Sequence, residues 1–140
     1  MTPDHRRVVV IVGGSGPIGD ALSKSLVHYE QSVLNLDPAS SVATTSLRST
    51  INRLRESPGS ASVAIDARDQ YALEEVAAEL RYLELQVGGL VCMAAVNPPM
   101  TGTGDASNLI TYPIESWRTE LDISLTSAFL SVQTFGSDLI

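Results

Sequence analysis

The chain has 140 residues, of which 44% are hydrophobic and 18% are charged, and its formal net charge is −7. This composition is typical of a single globular domain with its own core. The acidic balance argues against nucleic acid or an anionic membrane surface as a partner, and no apolar run approaches the ~20 residues of a membrane span. Because the first residues lack the pattern of a signal peptide, we expect a cytoplasmic protein.

Strand and helix patterns alternate along the whole chain. Strands are predicted at 7–12, 32–36, 61–65 and 90–94, and helices at 17–29, 42–56, 69–86 and from 114 to the end. Gly88 and Gly89 are predicted to end the third helix. The order β-α-β-α-β-α-β-α predicts an α/β fold, a Rossmann-like doubly wound parallel sheet with strand order 3-2-1-4 and helices on both faces. Residues 1–140 are therefore expected to form one domain, with a ligand crevice at the carboxyl ends of the strands.

A glycine-rich turn joins the first predicted strand to the first helix. It contains Gly13, Gly16 and Gly19, and Pro17 stands at the favoured first position of the helix. Glycine lets a ligand approach the main chain closely, and the start of a helix suits a phosphate. The turn therefore predicts a dinucleotide pyrophosphate site, although glycine-rich turns without a ligand also join strands to helices.

The histidines and the cysteine give little sign of reactive chemistry. His5 and His28 have no partner at ligand spacing, so no metal site is expected. Cys92 is the only cysteine and lies among apolar residues of the fourth predicted strand. That strand is apolar throughout, as in a strand buried on both faces, and Cys92 is interpreted as a small buried hydrophobic residue.

The last predicted helix has more apolar surface than one core contact needs. One face carries these residues: Trp117, Leu121, Leu125, Phe129, Val132, Phe135 and Leu139. Ile123 and Leu130 add apolar surface elsewhere. The pattern predicts a second partner for this helix, such as another subunit, and hence a homo-oligomer.

Four motifs in order resemble the short-chain dehydrogenase/reductase family. The segment 12–19 is similar to its TGxxxGxG cofactor motif, Asp66-Ala67 to its acidic residue near the adenine, and 90–95 to its LVNNAG motif. The segment 117–130 is similar to its W…LDVNLTGAFL run. The resemblance covers the whole chain and implies an NAD(P)-dependent oxidoreductase that transfers hydride between nicotinamide and a carbonyl or alcohol.

The resemblance also implies the cofactor-binding residues. They are Gly13, Ser15, Gly16, Pro17, Ile18, Gly19, Asp37, Asp66, Ala67, Met93, Ala94 and Ala95. Asp37 ends the second predicted strand, where an acidic residue accepts hydrogen bonds from the ribose hydroxyls and repels a 2′-phosphate. NAD is therefore expected rather than NADP, unless Asp37 merely begins the Asp-Pro turn.

The chain also departs from the family's pattern. Val12 replaces the threonine of the cofactor motif, and Pro17 replaces its middle glycine and has no N–H to offer a phosphate. Cys92 and Met93 replace two asparagines. Ser124 stands where the family has the asparagine that holds a water of the proton relay, so Ser124 is the catalytic candidate in this chain.

The family's catalytic Ser and Tyr-x-x-x-Lys are absent from these residues. Lys24 is the only lysine and is not four residues after any tyrosine. We therefore expect no useful hydride transfer from this polypeptide alone. Because the family is about 250 residues long, we also expect strand four to be an edge and the isolated chain to associate or aggregate.

Three functions remain open from the sequence. The first is the cofactor-binding half of an NAD-dependent reductase. The second is a non-catalytic relative that binds a nucleotide or serves as a scaffold, which the lost motif residues favour. The third is an extended-branch sugar-nucleotide epimerase or dehydratase, which only the GxxGxxG spacing of Gly13, Gly16 and Gly19 supports.

Overall fold

The computed structural model describes residues 7–38, 46–96 and 109–139. The strands are β1 (Arg7–Val12), β2 (Ser32–Asp37), β3 (Ser60–Ala64) and β4 (Gln86–Cys92). The helices are α1 (Pro17–His28), α2 (Leu47–Glu56), α3 (Gln70–Tyr82), α4 (Ile114–Leu121) and α5 (Ser127–Phe135). A π-helical turn, Asp122–Thr126, joins α4 to α5, and a 3₁₀ turn, Gly136–Leu139, follows α5.

The strands form one parallel sheet in the order β3-β2-β1-β4. This confirms the predicted fold class, a Rossmann-like α/β fold truncated to its first four strands. β1 lies between β2 and β4 in the sheet. The strands β1, β2 and β3 follow one another in one direction, and β4 is added on the other side of β1, so the strand order reverses at β1. The carboxyl ends of β1 and β4 therefore flank the crevice where such sheets bind ligands.

The core lies mainly on one face of the sheet. Val10, Leu34 and Leu36 point to this face and pack with apolar residues of α3 and with Phe135 of α5. The opposite face of β2 presents Asn35 to Ser23 of α1, a hydrogen bond of 3.1 Å. Helices thus cover both faces, as predicted, and α1 is fixed partly by a polar contact.

The predicted end of α3 and start of β4 were wrong. The helix ends at Tyr82, not at Gln86, and Glu84 adopts a left-handed φ of 59°. The Leu85 N–H then donates to the Leu80 carbonyl at 2.9 Å, which is a Schellman closure. Gly88 and Gly89 do not end the helix. They lie inside β4, with Gly88 as the extra residue of an irregularity between Val8 and Val9 of β1.

The interpretation of Cys92 and β4 as buried was also wrong. Among the described residues β4 is an edge strand, so one side of it has no neighbouring strand. Leu90 and Val91 are only half-buried, and Cys92 is exposed at the end of the strand. The apolar run predicted the strand but not its place at the edge, which was expected only from the greater length of the family.

The start of α2 is later than predicted. Ser46 has extended backbone angles and precedes the first helical residue, Leu47. Ile51 and Leu54 are buried and form the apolar face of this helix. The earlier part of the predicted helix lies outside the described residues, as does most of the segment between the fourth predicted strand and the last predicted helix.

The last predicted helix buries two serines and one phenylalanine and leaves most of its large apolar residues exposed. Ser127, Ser131 and Phe135 are buried, and α5 contacts β4 and α3 through this side. The serine hydroxyls bond back to main-chain carbonyls four residues earlier, which leaves no unpaired polar group on the packed face. Of the predicted apolar face only Phe135 is buried, while Leu125 and Phe129 are 64% and 60% exposed. No helix in the described part of the chain is long and apolar enough to cross a bilayer.

Candidate cofactor site

A cavity of about 550 Å³ lies at the carboxyl ends of the strands. Its wall includes every residue predicted to bind the cofactor, drawn from the glycine turn, the end of β2, the loop after β3 and the loop after β4. A larger, mostly polar hollow of about 920 Å³ lies at the amino ends of β1 and β4 and contains none of these residues. The sequence prediction therefore converges on one place in the fold.

The glycine turn is shaped by close contacts between backbones. Gly13 has φ +85°, and a Cβ there would lie 2.6 Å from the Cα and N of Ala94. A Cβ on Gly19 would lie 2.3 Å from the Gly14 carbonyl oxygen, so this glycine lets α1 start directly against the turn. These two positions need glycine for the fold itself.

Gly16 differs from those two glycines. A Cβ at Gly16 would meet no protein atom within 4 Å, and Gly16 lies on the cavity wall. Its φ of −77° is available to any residue. The packing of the described chain therefore does not require a glycine here, whereas a ligand lying close to the turn would.

The start of α1 faces the same cavity. Gly16 is the N-cap, Pro17 is the first helical residue, and the Asp20 N–H donates to the Gly16 carbonyl at 2.9 Å as the first helical bond. The N–H groups of Ile18 and Gly19 in the first turn have no partner within the helix. Together with the helix dipole they suit a phosphate, although Pro17 contributes no donor.

Asp37 is the most buried acidic group of the site. It is 2% exposed, and its Oδ1 accepts hydrogen bonds from the Ser15 N–H at 3.0 Å and the Ser15 hydroxyl at 2.8 Å. Its Oδ2 is buried and has no partner among the described residues. A buried carboxylate oxygen without a donor is costly, so a ligand that brings hydroxyl donors would satisfy it.

A series of side-chain hydrogen bonds, which starts at the buried Ser23 and Asn35, supports the turn. The Ser23 hydroxyl donates to Asn35 Oδ1 at 3.1 Å, and Asn35 Nδ2 donates to the Ser60 hydroxyl at 3.1 Å. A Cβ on Gly14 would collide with the Asn35 side chain at 2.1 Å. These hydrogen bonds link α1, β2 and β3 and fix the glycine turn against the sheet.

Asp66 lies on the cavity wall but is held by an arginine. Arg68 Nη2 contacts its Oδ2 at 2.6 Å, and Arg68 Nε contacts its Oδ1 at 2.9 Å. These bonds lower the pKa of Asp66 below its usual value. Arg68 lines the cavity too, so the end next to Asp66 and Ala67 contains a paired rather than an isolated carboxylate.

The fourth segment of the wall is main chain and small or apolar side chains. The Met93 N–H donates to the Val12 carbonyl at 2.9 Å, which continues the β1–β4 pairing to the cavity floor. Met93, Ala94 and Ala95 follow, and Ile123 and Ser127 close this side from the last helix. This side of the wall has few polar side chains compared with the side near Asp37.

Ser124 does not lie on the cavity wall. It is exposed in the π-helical turn, and its hydroxyl donates to the Glu120 carbonyl at 2.6 Å. Its catalytic role stays a prediction. None of the 4 tyrosines of the chain lines the cavity, and in Tyr112 a hydrogen bond to Glu120 raises the pKa of the phenol.

Arg68, Ile123 and Ser127 line the cavity, but the sequence analysis did not predict them as site residues. Arg68 follows Asp66 by two positions at the end of β3, so its place after a strand was a usable signal. Ile123 and Ser127 are one helical turn apart, but no local pattern indicates which side of the last helix faces the cavity.

Several solved structures have a similar fold. A short-chain oxidoreductase from Pseudomonas aeruginosa PAO1, described as having an atypical catalytic centre, is 22% identical with a TM-score of 0.70, over 96% of this chain and 48% of its own. A doubly substituted short-chain dehydrogenase/reductase from Serratia marcescens is 18% identical with a TM-score of 0.63, over 95% of this chain and 51% of its own. An NADH-dependent reductase solved with NAD is 17% identical with a TM-score of 0.65, over 96% and 52%.

The chain has the fold of short-chain dehydrogenase/reductases. It spans about half the length of these solved structures and corresponds to their N-terminal portion. No protein-family model and no curated protein matches the sequence. At these identities the likeness establishes the fold, and the reaction has to be argued from the site.

Proposed function

We propose that this chain is the cofactor-binding half of an NAD-dependent oxidoreductase of the short-chain dehydrogenase/reductase type. The observation that carries the proposal is the convergence of the predicted cofactor residues on one cavity at the switch point of the sheet. Two features fit an adenosine diphosphate group: the buried Asp37 Oδ2, which has no partner among the described residues, and the open space beside Gly16. The NAD-bound structure of a reductase with the same fold supports this choice of ligand.

The residues of this chain would bind and orient the cofactor. The first turn of α1 donates N–H groups to the pyrophosphate, and Gly16 lets the phosphate approach the main chain. Asp37 accepts hydrogen bonds from the adenosine ribose, while Asp66, Ala67 and Arg68 lie where the adenine is expected. The bound nicotinamide would supply hydride transfer to or from a carbonyl or alcohol carbon.

The charge of Asp37 favours NAD over NADP in this proposal. A 2′-phosphate would bring negative charge, and no hydrogen-bond donor, towards a buried carboxylate oxygen that has no partner within ranges 7–38, 46–96 and 109–139. Arg68 is a cation on the same wall, but Asp66 holds its guanidinium. We therefore expect NADH to bind more tightly than NADPH.

Titration with the two reduced cofactors tests the proposal. Calorimetry or nicotinamide fluorescence should show saturable binding of NADH and weaker binding of NADPH. No response to either cofactor at millimolar concentration would refute the dinucleotide site. Tighter binding of NADPH would leave the site standing but overturn the role given to Asp37.

The described part of the cavity wall favours a second candidate, a nucleotide-binding protein without catalysis. No tyrosine lies on this part of the wall, and the Ser124 hydroxyl is used within its own helix. Sequencing the gene downstream of the Ile140 codon would distinguish the two candidate functions. A downstream serine and Tyr-x-x-x-Lys would support a reductase, and their absence would support the non-catalytic protein.

We also propose self-association through α4 and α5, for which the exposed apolar residues of these helices provide the surface. A cytoplasmic location remains a prediction from the sequence.

A further inference from the structure

Two hydrogen bonds from Ser15 hold one oxygen of Asp37. The Ser15 N–H and the Ser15 hydroxyl both donate to Oδ1, at 3.0 Å and 2.8 Å. The two residues are 22 positions apart, so the contact joins the glycine turn after β1 to the end of β2. Ser15 is itself exposed, whereas Asp37 is buried.

This contact gives the two carboxylate oxygens of Asp37 different roles. Oδ1 has its lone pairs occupied by two protein donors, and Oδ2 has no protein donor among the described residues. A nucleotide in the cavity would therefore be received by Oδ2. The orientation of the carboxylate is set by Ser15, since rotation about the last torsion of Asp37 would break both bonds.

We propose that Ser15 is a positioning residue that directs Asp37 Oδ2 to the 2′-hydroxyl of the adenosine ribose and so determines the preference for an unmodified ribose. The inference rests on the proposed binding of an adenosine nucleotide in this cavity. It assigns specificity to a contact between two protein groups rather than to Asp37 alone. Ser15 need not touch the ligand for this role, because it acts through the carboxylate that it holds.

Substitutions at Ser15 distinguish the contribution of its hydroxyl hydrogen bond from that of its backbone N–H hydrogen bond. Ser15→Ala removes the hydroxyl bond but keeps the N–H bond, and Ser15→Thr restores a hydroxyl at the same place. Because Ser15 is exposed, neither change opens a cavity in the core. Ser25→Ala is a matched control, since Ser25 is an exposed serine of α1 that does not line the cavity.

Calorimetric titration of the full chain with ADP and with 2′-deoxy-ADP tests the proposal. The parent protein should prefer ADP by about tenfold, the size expected for one hydrogen bond to a charged group. In Ser15→Ala this preference should fall to about twofold or less, while Ser15→Thr and Ser25→Ala keep it. Thermal melts of the same samples would show that all variants are folded.

The ratio of the two affinities distinguishes positioning from a structural role. A structural change would weaken ADP and 2′-deoxy-ADP together and leave the ratio at its parent value, which would overturn the proposal while the nucleotide site stands. Loss of both ligands in Ser15→Ala without recovery in Ser15→Thr would also overturn it, because the turn would then need serine for its shape. If the parent protein binds neither ADP nor NADH, the proposed function fails and this inference fails with it.

Discussion

At the scale of single residues, Gly13 and Gly16 are glycines for different reasons. Gly13→Ala would force a Cβ into the backbone of Ala94 at a φ of +85°. We expect it to lower the free energy of unfolding by at least about 2 kcal/mol. The Cβ added by Gly16→Ala meets no atom of the described part of the chain, so we expect a loss of no more than about 1 kcal/mol, the cost of a poorer N-cap.

The same pair of variants tests the ligand. Because the Gly16 side of the turn faces the cavity, Gly16→Ala should weaken NADH binding by about tenfold or more despite a near-normal urea melt. Urea denaturation and cofactor titration on the two variants give the comparison. Unchanged NADH binding by a folded Gly16→Ala protein would be inconsistent with a pyrophosphate lying against this turn.

Cys92 offers a second test at this scale. It is exposed at the end of β4, and partial burial of its surroundings raises the pKa of the thiol above its usual value. Since the thiolate is the reactive form, we expect alkylation of the folded protein at neutral pH to be slow but to go to completion. The alkylation rate should keep increasing with pH to more alkaline values than the rate for glutathione does. Iodoacetamide kinetics against pH provide the measurement. A thiol that reacts only after unfolding would show instead that Cys92 is covered.

At the scale of elements, α1 and α3 both end on a glutamate in the left-handed conformation. Glu30 and Glu84 each have φ 59°, a position where glycine is usual. In α1 the Gln31 N–H donates to the Leu26 carbonyl at 3.0 Å, so the closure itself is well formed. The side chain of Glu30 therefore adds strain without a described contact that offsets it.

Glu30→Gly should consequently stabilise the fold. The free energy gained when the left-handed strain is removed exceeds the entropic cost of placing a more flexible glycine in the folded chain. We expect the free energy of unfolding to increase by about 0.5–1 kcal/mol. Urea melts measure the gain. Glu30→Ala keeps a Cβ and should bring none, so equal stabilisation by both variants would mean that the glutamate charge, not the backbone, is the cause.

These helix ends also explain what the sequence could and could not predict. The alternation of strands and helices determined the fold class, and β1 and the start of α1 were predicted at the observed residues. The end of α3 was missed because glycine is the usual signal, whereas the chain uses Glu84 and places Gly88 in a strand. Site residues that follow strands were predictable from position, but the bonds between Ser15 and Asp37 join residues 22 positions apart and required the fold.

At the scale of the whole molecule, the last helical segment presents an outer stripe of apolar residues. The outer stripe consists of Trp117, Leu121, Leu125, Phe129 and Val132, which are 38–64% exposed. Large aromatic and aliphatic residues at every third or fourth position form a continuous face, whereas Ser127, Ser131 and Phe135 form the side that packs on the protein. A contiguous apolar face of this kind is typical of a surface that associates.

The proposed self-association predicts an oligomer that charged substitutions on the outer stripe disrupt. The combination Leu125→Glu and Phe129→Glu places like charges at the centre of the stripe, and repulsion across a symmetric contact should shift the chain towards monomer. Light scattering coupled to size-exclusion chromatography measures the mass directly. Tyr71→Glu, on an α3 side chain that is 81% exposed, controls for added charge elsewhere and should leave the mass unchanged. A monodisperse, cooperatively melting parent monomer would contradict the proposal, because the stripe would then be stable in water without a partner.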